Sequence, residues 1–433
     1  MPVSINHLPL RSVLCCAALV LQSFGAAASA AEQPAREETW QVIYLSGQRI
    51  GYSRSVIENV SQDGGTIVKT SSISNMSFKR FGQTLIMKQS LSTEETTEGD
   101  LRRFRFETAN PPAMTAVTTG KIVAQELTLT QEINGKARTT VQPWQNGVKS
   151  PVFQDRLLKA NPLKPGETRS FDSFVPEFAK VGKATLKAID FEKTKLLNDV
   201  PRKLFKVSST HSLLPGIVMN NFLDNDGDTL KVSTNMLGST MELFQVSKDE
   251  ALKTIEGAEL DLAVSTLVKV KPLAKGHETQ RVVYRVTIAD QDPCDVIPVG
   301  DTQKINRLDD ETAELTVISI PIPRTAKIGN VAPEFLESSQ YLQRDDELVQ
   351  KHANRAAGDA TDPAVIARRM ETYVLEKLTS KNFSTAMASA AEVAKSLEGD
   401  CTEHAVLLAA MLRAKQIPSR IVVGLVYAER MFA

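Results

Sequence analysis

Between Trp40 and about Val246 the sequence runs in short alternating apolar and polar segments broken by turn-forming pairs, and this pattern constrains the fold more than any other feature. A period of two places successive side chains on opposite faces of a strand, whereas a helix repeats its apolar residues every three or four positions. Trp40, Val42 and Tyr44 alternate ahead of Ser46-Gly47, and the chain resumes from Arg49 to Ile57, which reads as a hairpin. Gly64-Gly65 and Asn134-Gly135 are further hairpin signals, the second lying between extended runs from Leu127 to Ile133 and from Lys136 to Val141. Asp224, Asp226, Gly227 and Asp228 raise the question of a calcium loop. With Gly227 at the glycine position of an EF-hand, the first ligand position falls on Phe222, which offers no oxygen. Asp226-Gly227 is therefore expected to close a hairpin into Thr229 to Ser233. Residues 31–257 are expected to form an antiparallel β-rich region, as one domain or two.

Extended runs from Gln280 to Ile288 and from Glu311 to Ile320 are followed by a proline-containing connector, Pro321 to Pro333, so a small β unit and linker are expected over 258–333. Beyond Asp345 the period becomes helical. Asp362-Pro363 is a cap with proline at the first helical position, and Ile366, Met370, Tyr373 and Val374 mark one apolar face. Ser389 and Glu392 have capping-box spacing, for a short helix ending near Gly399. The segment 334–433 is then α-rich up to a last strand, Arg420 to Tyr427. The expected class is a multidomain α+β protein.

The first thirty residues have the order of an export signal: a weakly basic start from His7 to Arg11, an apolar run from Ser12 to Phe24 and the small-residue site Ala28-Ser29-Ala30. Cleavage before Ala31 and a periplasmic or extracellular location are expected; the alternative is an N-terminal membrane anchor, since Ser12 to Ser29 is just long enough to span. Cleavage removes Cys15 and Cys16 and leaves Cys294 and Cys401, expected as two separate thiols. The chain carries 51 basic and 51 acidic side chains, so no whole-molecule charge draws it to nucleic acid, and no nucleic-acid partner is expected.

Gly399-Asp400-Cys401-Thr402-Glu403-His404-Ala405 opens an apolar helix that runs through Arg413, followed by Ile417-Pro418-Ser419-Arg420 and Gly424. A thiol in the first turn of a helix sits where unpaired N–H groups and the positive dipole end favour a thiolate. This Gly-Asp-Cys helix with its Ile-Pro-x-Arg-x-x-x-Gly return resembles the transglutaminase-like superfamily over about the last fifty residues. The resemblance implies an incomplete papain-like α+β domain over 334–433 and assigns Cys401 as the nucleophile that attacks an amide or peptide bond to form a thioester. It implies a peptide or protein substrate, with hydrolysis preferred over crosslinking. The few histidines and cysteines show no ligand spacing, so no metal or organic cofactor is expected. The superfamily takes its histidine and carboxylate from strands after the cysteine helix. Here His404 is the one histidine after Cys401, so the triad is expected to be incomplete and this chain to be inactive as it stands, either as a C-terminally truncated fragment, which is favoured, or as a degenerate member of the superfamily.

His404, at i+3 from Cys401, is weighed as a base against a surface or supporting role; His211, His277 and His352 are not singled out. Asp400 and Glu403 are expected as solvated first-turn carboxylates. Gln416 stands where the superfamily commonly has glycine. Cys294, between Asp292 and Asp295, is expected to be structural. The alternative function is a non-catalytic envelope protein whose β-rich region binds a peptide, polysaccharide or protein partner. Nothing in the sequence sets the oligomeric state.

Overall fold

A computed structural model of the chain describes residues 36–62, 65–80, 82–111, 115–133, 135–197, 200–236, 239–255, 260–261, 268–276, 278–288, 291–321, 323–380 and 388–428. The export segment, Cys15, Cys16, Asn134 and His277 lie outside them. The described residues fall into two compact units that divide near residue 267.

The first unit is one antiparallel sheet of 14 strands, ordered β8-β7-β6-β5-β4-β3-β2-β1-β14-β13-β12-β11-β10-β9. The strands of its first half are β1 (Arg36–Leu45), β2 (Gln48–Gln62), β3 (Gly65–Arg80), β4 (Gln83–Thr96), β5 (Leu101–Ala109), β6 (Thr115–Val123), β7 (Glu126–Ile133) and β8 (Lys136–Pro143). After helix α1 (Phe153–Ala160) come β9 (Thr168–Val175), β10 (Lys180–Lys195), β11 (Pro201–His211), β12 (Val218–Leu223), β13 (Thr229–Met236) and β14 (Ser239–Val246), then the single turn α2 (Lys248–Ala251). Each half is a meander, and pairing of β1 with β14 joins them. Ser46 and Gly47 both take positive φ, 49° and 77°, as the expected tight turn between β1 and β2 requires. Gly227, at φ 85°, closes the β12–β13 turn, where the Asp224 carboxylate accepts from the Asp226 and Asp228 N–H groups.

The sheet curls back on itself through the segment 148–150, which bonds on one side to the start of β5 (Leu101 N to Val148 O, 3.1 Å) and on the other to β9 (Phe174 N to Lys149 O, 3.1 Å). The curl brings the Phe104 ring of β5 to 4.9 Å from Phe174 of β9, in a core that includes Leu91, Phe106, Leu127 and Trp144. Leu158 of α1 fills a second core with Leu186, Val207 and Leu223.

The second unit holds a three-stranded antiparallel sheet, β15 (Arg281–Thr287), β17 (Thr312–Ile318) and β16 (Gln303–Arg307), with the short turn α3 (Pro293–Val296). Four helices follow: α4 (Glu347–Ala357), α5 (Pro363–Lys377), α6 (Ala390–Ser396) and α7 (Cys401–Ala414). The caps read from sequence are in place. Asp362 accepts from the Ala364 and Val365 N–H groups, and Ser389 with Glu392 forms a complete capping box. Ile366, Met370 and Val374 are buried against the other helices. Tyr373 lies at the edge of that face, its hydroxyl 2.8 Å from His352 Nδ1, while His352 Nε2 donates to the Ala394 carbonyl at 3.0 Å. One imidazole thus ties α4 to both α5 and α6.

Residues 420–428 form no strand, contrary to the sequence reading. The reason is one of partners. A strand is stable only when its N–H and C=O groups enter a ladder, and this segment enters none of the described sheets; Tyr427 is held through its hydroxyl, which accepts from the Leu273 N–H at 2.9 Å, and not through its backbone. Val422, Leu425 and Val426 stay outside, Val426 89% exposed, while Ile421, Val423 and Tyr427 are half-buried.

Candidate active site

The cysteine helix is set by the three residues that open it. Gly399 has φ +145°, and a β-carbon there would lie 2.3 Å from Glu403 Cβ, so the glycine is required by the close return of the Glu403 side chain. Asp400 is the N-cap, its Oδ1 accepting from the Thr402 N–H at 2.8 Å. Glu403 reaches back to complete a capping box, its Oε2 accepting from the Asp400 N–H at 3.0 Å. Its other oxygen accepts from the buried Ala388 N–H at 3.1 Å, latching the helix start to the chain that leads into α6.

Asp400 and Glu403 are therefore not solvated, as the sequence suggests, but 3% and 1% exposed. They are buried because each carboxylate oxygen named here pairs with an N–H that would otherwise be left unbonded inside the protein. Cys401 itself, at the first helical position, is exposed. The thiol is thus the one group of the Gly-Asp-Cys motif that faces solvent, held at the positive end of a 14-residue helix by two buried carboxylates.

The helix is not equally buried all round. Val406, Leu407, Ala410 and Met411 are fully enclosed, whereas Ala405, Leu408 and Leu412, in line with Cys401, are only half-buried. The far end is fixed as firmly as the start. Arg413, 6% exposed, donates to the carbonyls of Glu337 and Ser419, and burial holds its pKa below the usual guanidinium value. Ser419 donates through Oγ to the Ala409 carbonyl at 2.7 Å and through N–H to Phe335 O at 3.0 Å. The Ile417-Pro418-Ser419-Arg420 segment is therefore a buckle across the helix end.

The described histidines differ in what they can offer. His211 is 7% exposed and binds through both ring nitrogens, Nδ1 to the Leu213 N–H and Nε2 to Ser173 Oγ, each at 3.2 Å. Burial pushes its pKa down to about 4. Both nitrogens of His352 are engaged between helices. His404 is half-buried, and its Nδ1 donates to the Asp400 carbonyl at 2.6 Å, folding the ring back toward the helix start. Its Nε2 has no hydrogen bond among the described residues. Cys294 is half-buried in α3, where Asp292 accepts from its N–H at 2.8 Å. The surroundings of Cys294 are less acidic than its sequence neighbours imply, because Arg307 pairs with Asp292 and reaches the thiol. Neither Cys294 nor Cys401 is in a disulfide.

Residues 350–432 match the sequence model of the transglutaminase-like superfamily, a stretch that begins within α4 and takes in α5 to α7 and the buckle after α7. Two solved structures resemble about half the chain. One is a beta-barrel-like protein of domain of unknown function DUF1849 from Brucella abortus, at 13% identity and TM-score 0.33, covering 48% of this chain and 96% of that one. The other is a duf1089 family protein from Pseudomonas aeruginosa, at 10% identity and TM-score 0.18, covering 48% and 94%. No curated protein matches the sequence.

Proposed function

We propose that the protein is an exported cysteine enzyme of transglutaminase-like type, acting on amide or peptide bonds of a peptide or protein substrate through a thioester on Cys401. The observation that carries this reading is the exposed thiol at the start of α7, with Gly399, Asp400 and Glu403 committed to holding it there. In the reaction the thiolate sulfur bonds to the carbonyl carbon and the oxygen takes the negative charge, which backbone N–H groups of the helix start stabilise. The amine then leaves with a proton, and water releases the acid, so that hydrolysis is the preferred outcome over amine transfer.

Turnover needs a base beside the thiol. His211 and His352 have both ring nitrogens committed elsewhere, and His404 has only Nε2 available. The reading is therefore that, with the bases among the described residues, Cys401 acylates slowly and turns over inefficiently. Export rests on the N-terminal signal pattern and predicts a periplasmic or extracellular protein. Among the described residues no helix is long and apolar enough to cross a membrane.

The test is alkylation of the folded protein with iodoacetamide across pH, followed by mass spectrometry of the peptides. Cys401 should label with a midpoint below the ~8.5 of an ordinary thiol, and Cys401→Ser should abolish the fast phase while Cys294→Ser leaves it. A midpoint at ~8.5 or above, or a fast phase that survives in Cys401→Ser, would remove the basis for the reading. Incubation with a p-nitrophenyl ester should add one acyl group at Cys401.

A further inference from the structure

The outer face of the first half of the large sheet carries a concavity of about 520 Å³ across β2 to β7. Its floor follows two adjacent rows of the strand register. One row carries the short hydroxyls Ser71, Ser92, Thr119 and Thr130, interrupted by Arg105. The other runs Glu58, Lys69, Glu94, Arg103 and Lys121, with Glu58 at the β2 end turned to Arg36 at 3.2 Å.

The second row breaks the usual rule of cross-strand pairing. Opposite charges facing each other across a ladder stabilise a sheet, and like charges directly opposite cost stability. Arg103 stands directly opposite Lys121. The carboxylate beside them, Glu94, is shared between Lys69 at 3.2 Å and Arg103 at 3.8 Å. Arg105 turns to Glu107 at 2.8 Å, and Lys121 has no ion pair among the described residues. A surface that sets two cations face to face and leaves one of them uncompensated is arranged for an anion supplied from outside.

The neighbouring groups narrow the class of ligand. Every strand under the groove has partners on both sides, so its backbone is committed to the ladder and cannot bind a peptide by strand addition. Recognition therefore falls to side chains, and the groove offers hydroxyls together with cations. The aromatic ring that lines it, Phe104, is 2% exposed beneath Gly120, so it gives no platform on which a neutral sugar could stack. We propose that this groove binds an anionic glycan, a sugar chain bearing carboxylate or phosphate groups, with Arg103 and Lys121 holding the charge and the Ser/Thr row holding sugar hydroxyls. The site lies in a different compact unit from Cys401 and does not depend on the cysteine reading.

The full chain is titrated calorimetrically with hexagalacturonate, with maltohexaose of equal length and with hexaglutamate, at two salt concentrations. Hexagalacturonate should bind, more weakly at higher salt, with maltohexaose and hexaglutamate at least tenfold weaker. The double variant R103Q/K121Q should lose at least tenfold in affinity while its thermal midpoint stays the same or rises, because a like-charge pair has been removed from an exposed face. Cys401→Ser should bind as the parent does. No binding of hexagalacturonate, equal binding of hexaglutamate, or undiminished binding by R103Q/K121Q would overturn the assignment.

Discussion

Gln416 shows how a single position carries a cost that the fold absorbs. It follows the last turn of α7 with φ 58°, while its N–H bonds to Arg413 O at 3.0 Å and that of Ile417 to Leu412 O at 2.9 Å, the paired bonds of a Schellman ending. A side chain with a β-carbon is strained there, so Gln416→Gly should raise stability by about 1 kcal/mol in urea unfolding. Glu403 should behave in the opposite way. Glu403→Ala strands the N–H groups of Asp400 and Ala388 in the interior and should cost about 3 kcal/mol, with Glu403→Gln recovering part of the loss. A loss below about 0.5 kcal/mol would show that these N–H groups find other partners. His211 gives the pH dependence. Its folded pKa of about 4 lies below its ordinary 6.5, so as pH falls the unfolded chain takes up the proton first. Its contribution to stability is complete above about pH 6.5 and is lost as pH falls toward about 4, by roughly 3 kcal/mol in all. Urea midpoints of the parent and of His211→Gln, measured from pH 7 to 4.5, should converge as pH falls.

At the scale of elements, the caps and turn glycines were legible because each acts within three or four residues. Asp362, Ser389 with Glu392, Ser46-Gly47 and Gly227 all do in the structure what their local chemistry specifies. The segment 420–428 was misread for the complementary reason: its composition suits a strand, but a strand also needs a neighbour, and composition does not report one. Hydrogen exchange should separate the two kinds of element. Amides 420–428, outside any ladder, should exchange within seconds to minutes, while the interior of α7 should be protected about as long as its helical unit stays folded. Slow exchange across 420–428 would mean that the segment has found a pairing partner. The roles of Asp400 and Glu403 sit between these cases. Their capping spacing was visible in Gly399-Asp400-Cys401-Thr402-Glu403, but their burial depends on Ala388, which arrives from the chain before α6.

At the scale of the molecule, the division near residue 267 leaves two bodies with their own cores, joined through a stretch whose described residues 268–276 belong to no helix or strand. Val268 and Val270 are 61% and 46% exposed. Brief thermolysin digestion should cut there first and leave the 14-stranded sheet as a resistant fragment. Early cuts spread evenly along the chain would contradict two separately stable bodies. The sequence by itself determined the β character of most of the first unit, the helical character of the chain beyond Asp345, the caps and turns named above, and the thiol at a helix start, because periodicity, positive-φ turns and N-capping are settled by near neighbours; it did not show α1 or the fate of 420–428. Only the tertiary structure decided that the β region is one curled sheet, since the pairing of β1 with β14 joins residues about 200 positions apart. It alone placed Arg103 opposite Lys121 and turned Asp400 and Glu403 inward while leaving Cys401 exposed. Those outcomes depend on which distant surfaces meet and exclude water, and no local pattern of residues encodes that choice.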